Sequence, residues 1–116
     1  MTEQPRFAIS EQVQGATVSL TITGELDLST VPVLARHLDE RLAESPGTLT
    51  LDMSDLTFMD SSGLRQLIEL DERAKRDSWT LTLIPSRHES ATTVLRLTGA
   101  DAALPFRSPG ADASPA

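Results

Sequence analysis

The chain has 116 residues, a formal net charge of -7 and no cysteine. That length suits one domain built on one core, and the lack of cysteine excludes a disulfide framework and thiolate metal sites. The acidic balance argues against nucleic acid and anionic membrane surfaces as partners, since both are recognised through basic patches.

Aromatic residues are few, Trp79 and three Phe, so no stacking platform for single strands is expected. No apolar run approaches the ~20 residues of a membrane span. The start, MTEQPRFAIS, lacks the basic and then apolar regions of a secretory signal. The absence of cysteine fits a reducing compartment, and the expected location is the cytoplasm.

Residues 6–13, RFAISEQV, mix apolar and polar positions, and Gln14-Gly15 gives a turn signal. In ATVSLTIT, residues 16–23, Val18, Leu20 and Ile22 alternate with Thr17, Ser19, Thr21 and Thr23. That period of two predicts a half-buried strand paired to its predecessor as an antiparallel hairpin. Gly24-Glu25-Leu26-Asp27 closes the strand. Ser29 or Thr30 can cap a helix there, with Pro32 in its first turn. Val31, Leu34, Ala35, Leu38 and Leu42 make its apolar stripe. Ser45-Pro46-Gly47 ends it.

TLTLDM, residues 48–53, alternates and predicts a third strand. Leu64, Leu67, Ile68 and Leu70 open a second amphipathic helix with a charged far end, DERAKRD. WTLTLI, residues 79–84, predicts a fourth strand stopped by Pro85. A third helix runs from about Ser90 to Leu97, closed by Thr98-Gly99. AALPF offers a last edge segment, and RSPGADASPA is small, polar and proline-rich, the composition of a disordered tail. Four strands and three helices, with strand-helix-strand units, give an α/β layer: a small mixed sheet with helices on one face.

The most informative stretch is LTFMDSSGL, residues 56–64. It joins an apolar run to a helix through Asp60, Ser61, Ser62 and Gly63. Capping accounts for one serine or the acid, at roughly 1 kcal/mol, but two serines are present. Gly63 costs about 1 kcal/mol of helix propensity against alanine, which makes sense where something approaches the backbone closely. Both a plain cap and a chemical site are open on these grounds.

Enzymatic readings fare poorly. DSSG is not the G-x-S-x-G nucleophile elbow, and no phosphate-gripping Gly-Lys-Ser/Thr sequence exists. His37 flanks the first helix's apolar stripe and His88 follows Pro85 in a loop; neither stands out as a catalytic base. Glu25, Asp27, Asp52, Asp55 and Asp60 fall at or after strand ends and could share an edge. Carboxylates can hold Mg²⁺, but this loose spacing reads more simply as solvated loops. No metal or cofactor is expected.

LTFMDSSGLRQLIEL resembles the signature of the anti-anti-sigma factors, bacterial proteins of the STAS domain family. TGELDLSTVPVL resembles that family's first strand-to-helix junction, and LRLTGADAALPF its last helix and end. The resemblance runs from about residue 6 to residue 106. It implies a STAS-like single domain over residues 1–107, with residues 108–116 as tail. It implies a protein that binds an anti-sigma factor with serine kinase activity, so freeing a sigma factor. Phosphorylation at Ser62, the serine before the glycine, ends that binding, and a PP2C-type phosphatase reverses it. Asp60 matches the acid that shapes the site, and Asp27 an acid of the neighbouring loop in partner contact. Asp27, Asp60, Ser61, Ser62 and Gly63 therefore form the expected switch and partner-binding set. The chain would be a substrate and ligand, not an enzyme, and a monomer before partner binding. The alternative is a STAS accessory subunit of a transporter or stress-signalling scaffold, working without phosphorylation.

Overall fold

The computed structural model of the chain describes residues 6–107. The expected tail over residues 108–116 lies outside the described residues.

Chain order is β1 (Phe7–Gln14), β2 (Thr17–Leu26), α1 (Val31–Leu42), β3 (Thr48–Asp52), β4 (Leu56–Met59), α2 (Ser61–Asp77), β5 (Thr80–Ile84), α3 (Glu89–Thr98) and α4 (Ala100–Ala103). The sheet runs β1-β2-β3-β5, with β4 paired to β2. β1 and β2 form the expected antiparallel hairpin, and the other pairings are parallel.

Alternation in the sequence becomes two different sheet faces. Val18, Leu49 and Leu81 lie in one register row, and Leu20, Leu51 and Leu83 in another. All six are buried. Ser19, Thr50 and Thr82 share the row between them and are half-exposed. The leucine face takes the helices: Leu34 and Leu38 of α1, Leu67 and Leu70 of α2, and Leu95 of α3 join one core cluster. Each such side chain, fully buried, is worth roughly 1.5–3 kcal/mol. Helices on one face of a mixed sheet is the arrangement the periodicity predicts.

The structure corrects the predicted elements in three places. A fifth strand, β4, appears where the apolar run of the sequence reads only as the lead into a helix. β3 pairs with residues 17–21 of β2, and after Met53-Ser54-Asp55 the chain returns to pair β4 with residues 24–26. Gly24 lies at the irregularity in this ladder. Its φ is +95°, and an added Cβ would stand 2.0 Å from the Arg6 carbonyl oxygen. Only glycine fits there. Second, α2 begins at Ser61 rather than Leu64. Third, the expected AALPF edge is reduced to one bridge: Ala102 and Ala103 belong to α4, and Phe106 alone makes a parallel bridge to Leu83 at the outer side of β5.

Candidate functional site

β2 and β4 are parallel, so their carboxyl ends lie side by side, with Leu26 opposite Met59. The next residues are Asp27 and Asp60. α1 and α2 start just beyond them. The topology thus sets two acids and two helix N-termini at one end of the sheet, the usual place for function in parallel α/β sheets. The Asp60 N–H donates to the Leu26 carbonyl at 3.3 Å, which fixes one junction to the other.

Asp60 is the N-cap of α2. Its Oδ1 accepts from the Ser62 N–H at 2.9 Å and the Gly63 N–H at 3.2 Å. The serines are therefore not the cap: they occupy the first turn of the helix itself. Among the described residues neither serine hydroxyl forms a hydrogen bond within the chain. Ser61 is exposed and Ser62 half-buried.

Gly63 is buried, and the close approach its glycine permits comes from the chain itself. A Cβ there would lie 2.6 Å from Met59 Cγ and 3.0 Å from both Leu26 Cγ and the Leu26 carbonyl oxygen. Gly63 seats α2 against the ends of β2 and β4; it does not present backbone to a visitor.

The neighbouring loop is held just as tightly. Asp27 Oδ1 accepts from the Ser29 N–H at 3.0 Å, the Ser29 hydroxyl at 2.8 Å and the Thr30 N–H at 3.2 Å. Thr30 stands at the N-cap position of α1 without capping it through its side chain. Its hydroxyl instead accepts from the Asp27 N–H at 2.9 Å and donates to the Glu25 carbonyl at 2.7 Å. Asp27 Oδ2 faces the Arg6 guanidinium, which also reaches Glu25. The Ser29 hydroxyl bond is the largest cause holding the Asp27 carboxyl below its usual 3.8. Burial opposes it, while the Ser29 N–H, the Arg6 charge and the Thr30 N–H add to it. This hydrogen-bonded loop presents Leu28 to solvent at 76% exposure, with Val33 also exposed on the first turn of α1.

The other sequence-flagged acids disperse. Asp55 pairs with Arg87, and Asp52 accepts from the Ser54 N–H. Among the described residues no three His, Cys, Asp or Glu side chains converge on a metal-sized site. His37 lies against Glu11 on the hairpin, with Nδ1 and Oε2 3.3 Å apart. Among the described residues no helix is long and apolar enough to cross a membrane.

The sequence does not single out Arg6 or Leu28, and it offers Ser29 and Thr30 only as caps of α1. Asp27-x-Ser29-Thr30 is a signature of side-chain-to-backbone turns, which points to the bonds these two make with Asp27. Nothing local marks Arg6, which meets Asp27 across 21 positions. Gln66 was missed as well. It donates to the Val31 carbonyl at 2.9 Å, tying α2 to α1, while its buried Oε1 finds no partner among the described residues.

A family model described as "Mlab, STAS domain" matches residues 9–105. The chain belongs to the STAS domain family. The anti-sigma-F factor antagonist RsfB of Mycobacterium tuberculosis is 37% identical over 54 residues. That match covers 47% of this chain and 44% of the relative, so it spans less than half the length of either. The crystal structure of an anti-sigma factor antagonist from Mycobacterium paratuberculosis superposes with a TM-score of 0.77 at 24% identity, over 92% of this chain and 90% of that one. The Bacillus cell fate determinant SpoIIAA, solved in its phosphorylated form, gives 0.64 at 21% identity, over 87% of this chain and 92% of that one. Both likenesses establish the STAS fold, with its five-stranded mixed sheet and four helices.

Proposed function

We propose that this STAS domain is an anti-sigma factor antagonist switched by phosphorylation of Ser62. The observation that carries the reading is the Ser62 hydroxyl. It lies in the sequence DSSG, in the first turn of α2, and capping does not occupy it because Asp60 already caps the helix. The partial match to RsfB supports the same reading.

In this account the unmodified protein binds an anti-sigma factor that is also a serine kinase, and a sigma factor is released. The contact surface is the end of the sheet where Asp27, Asp60, Ser61 and Ser62 meet, with Leu28 and Val33 as its apolar part. The kinase transfers a phosphoryl group from ATP to Ser62 Oγ, ADP leaves, and the complex separates. A PP2C-type phosphatase hydrolyses the ester and resets the switch. The chain is a substrate and ligand in this cycle, not the catalyst, and it acts in the cytoplasm.

Magnitudes support a charge switch. Phosphate adds about -1.5 to -2 charge. A like charge about 5 Å away, at an effective dielectric near 20, costs about 3 kcal/mol per unit pair. Each ~1.4 kcal/mol is tenfold in affinity, so one phosphate in the interface weakens binding about a hundredfold or more. Gly63 seats α2 by close packing, so the helix start has little room to move aside.

The test is labelling by the host's anti-sigma kinases with three versions of the chain: wild type, Ser61→Ala and Ser62→Ala. The reading expects loss of label in Ser62→Ala alone. Full labelling of Ser62→Ala would move the acceptor elsewhere.

A further inference from the structure

Taking Ser62 as the modified residue, as proposed above, the structure leaves a phosphate there with few partners of its own. Helix N-termini normally offer anions free N–H groups, but Asp60 Oδ1 already holds those of Ser62 and Gly63. Asp60 and Asp27 also place negative charge at the same end of the sheet. A cation close to Ser62 would therefore favour the phosphate.

The described cations are mostly committed. Arg6 pairs with Glu25 and Asp27, Arg41 with Glu11, Arg73 with Asp39, Lys75 with Asp71, and Arg87 with Asp55. Arg65 has no carboxylate within ion-pair distance among the described residues, and it is exposed. It lies on α2 three residues after Ser62 and four after Ser61. Side chains at that spacing are neighbours, about 5–6 Å apart at Cβ. Helical side chains also lean toward the N-terminus, which carries the Arg65 guanidinium back over the first turn. Its competitor on the helix is Glu69 at i+4, in the less favourable order of cation before acid.

We propose that Arg65 is a built-in clamp for the modified switch: its guanidinium pairs with the phosphate of phosphoserine 62 within the same helix. The phosphate is then held in one orientation at the helix start. Phosphorylation also takes a free cation off the exposed face of α2, so the surface changes by more than the phosphate's own charge.

The test is a phosphorus NMR pH titration of full-length protein carrying phosphoserine at position 62, installed during translation and so independent of any kinase. Wild type is compared with Arg65→Gln, Arg65→Lys and Arg6→Gln. The second phosphate ionisation lies near pH ~6 when unperturbed. The clamp predicts that Arg65→Gln raises it by about half a unit or more, roughly threefold in proton affinity. Arg65→Lys keeps most of the wild-type value, Arg6→Gln leaves it in place, and added salt shrinks the wild-type difference. Identical titrations in wild type and Arg65→Gln would overturn the clamp, as would a shift in Arg6→Gln alone. Failure of a kinase to label Ser62 would count against the proposed function and leave this ion pair standing.

Discussion

Asp60 Oδ1 lies 2.9 Å from the Ser62 backbone nitrogen, so the acid caps α2 and the serine two positions on is spared that task. The two side chains should therefore separate cleanly in stability measurements. Asp60→Ala removes the cap from the Ser62 and Gly63 N–H groups and is expected to cost about 1 kcal/mol, within the ~0.5–2 range for lost caps. Ser62→Ala removes a hydroxyl that forms no hydrogen bond within the described chain, and alanine is the better helix former. It should stay within about 0.5 kcal/mol of wild type. Urea unfolding of both variants checks this; a larger loss in Ser62→Ala than in Asp60→Ala would reverse the assignment of the cap.

Gly63→Ala tests how α2 is seated. Helix propensity alone favours the change by about 1 kcal/mol. The added Cβ, however, meets Met59 Cγ at 2.6 Å and the Leu26 carbonyl oxygen at 3.0 Å. The methionine can swing away but the backbone oxygen cannot, and overpacking of this kind costs about 1–3 kcal/mol. Net destabilisation is expected, read as a lower urea midpoint with an unchanged slope. A more stable variant would mean that the junction is looser than its contacts imply.

Asp27 gives a pH dependence with a definite sign. Its folded carboxyl titrates below the usual 3.8, chiefly through the Ser29 hydroxyl bond. A depressed folded pKa contributes stability that is present above the unfolded value and lost as pH falls through the folded one. The stability difference between wild type and Asp27→Asn should thus be full at neutral pH and shrink as pH drops below 3.8. Chemical unfolding of both proteins at several pH values measures it. A difference that stays constant into strong acid would remove Asp27 from the acid response.

Much of this architecture is legible in the residues. Val18, Leu20 and Ile22, then Leu49 and Leu51, then Leu81 and Leu83 alternate with polar positions and are the buried side of the sheet. Leu34 and Leu38, and Leu67 and Leu70, fall at helical spacing and are buried too. β4 was harder to see because LTFM is short, does not alternate, and follows β3 with no glycine or proline between. The start of α2 is hard to place from sequence because Gly63 reads as a poor helix residue. Its value is steric, set by Leu26 and Met59 on neighbouring strands, and propensity does not register tertiary contacts. The DSSG motif located the junction, while long-range pairing decided which member does what: Asp60 the cap, Gly63 the seat, and Arg6 the partner of an acid 21 residues away.

The switch at Ser62 is tested by comparing two forms of one protein, unmodified and carrying phosphoserine at position 62. Each is titrated calorimetrically with the host's anti-sigma factor that labels the chain. Tight binding of the unmodified form and a loss of about a hundredfold or more on modification are expected. Equal affinities for the two forms would contradict this and leave Ser62 without a switching role.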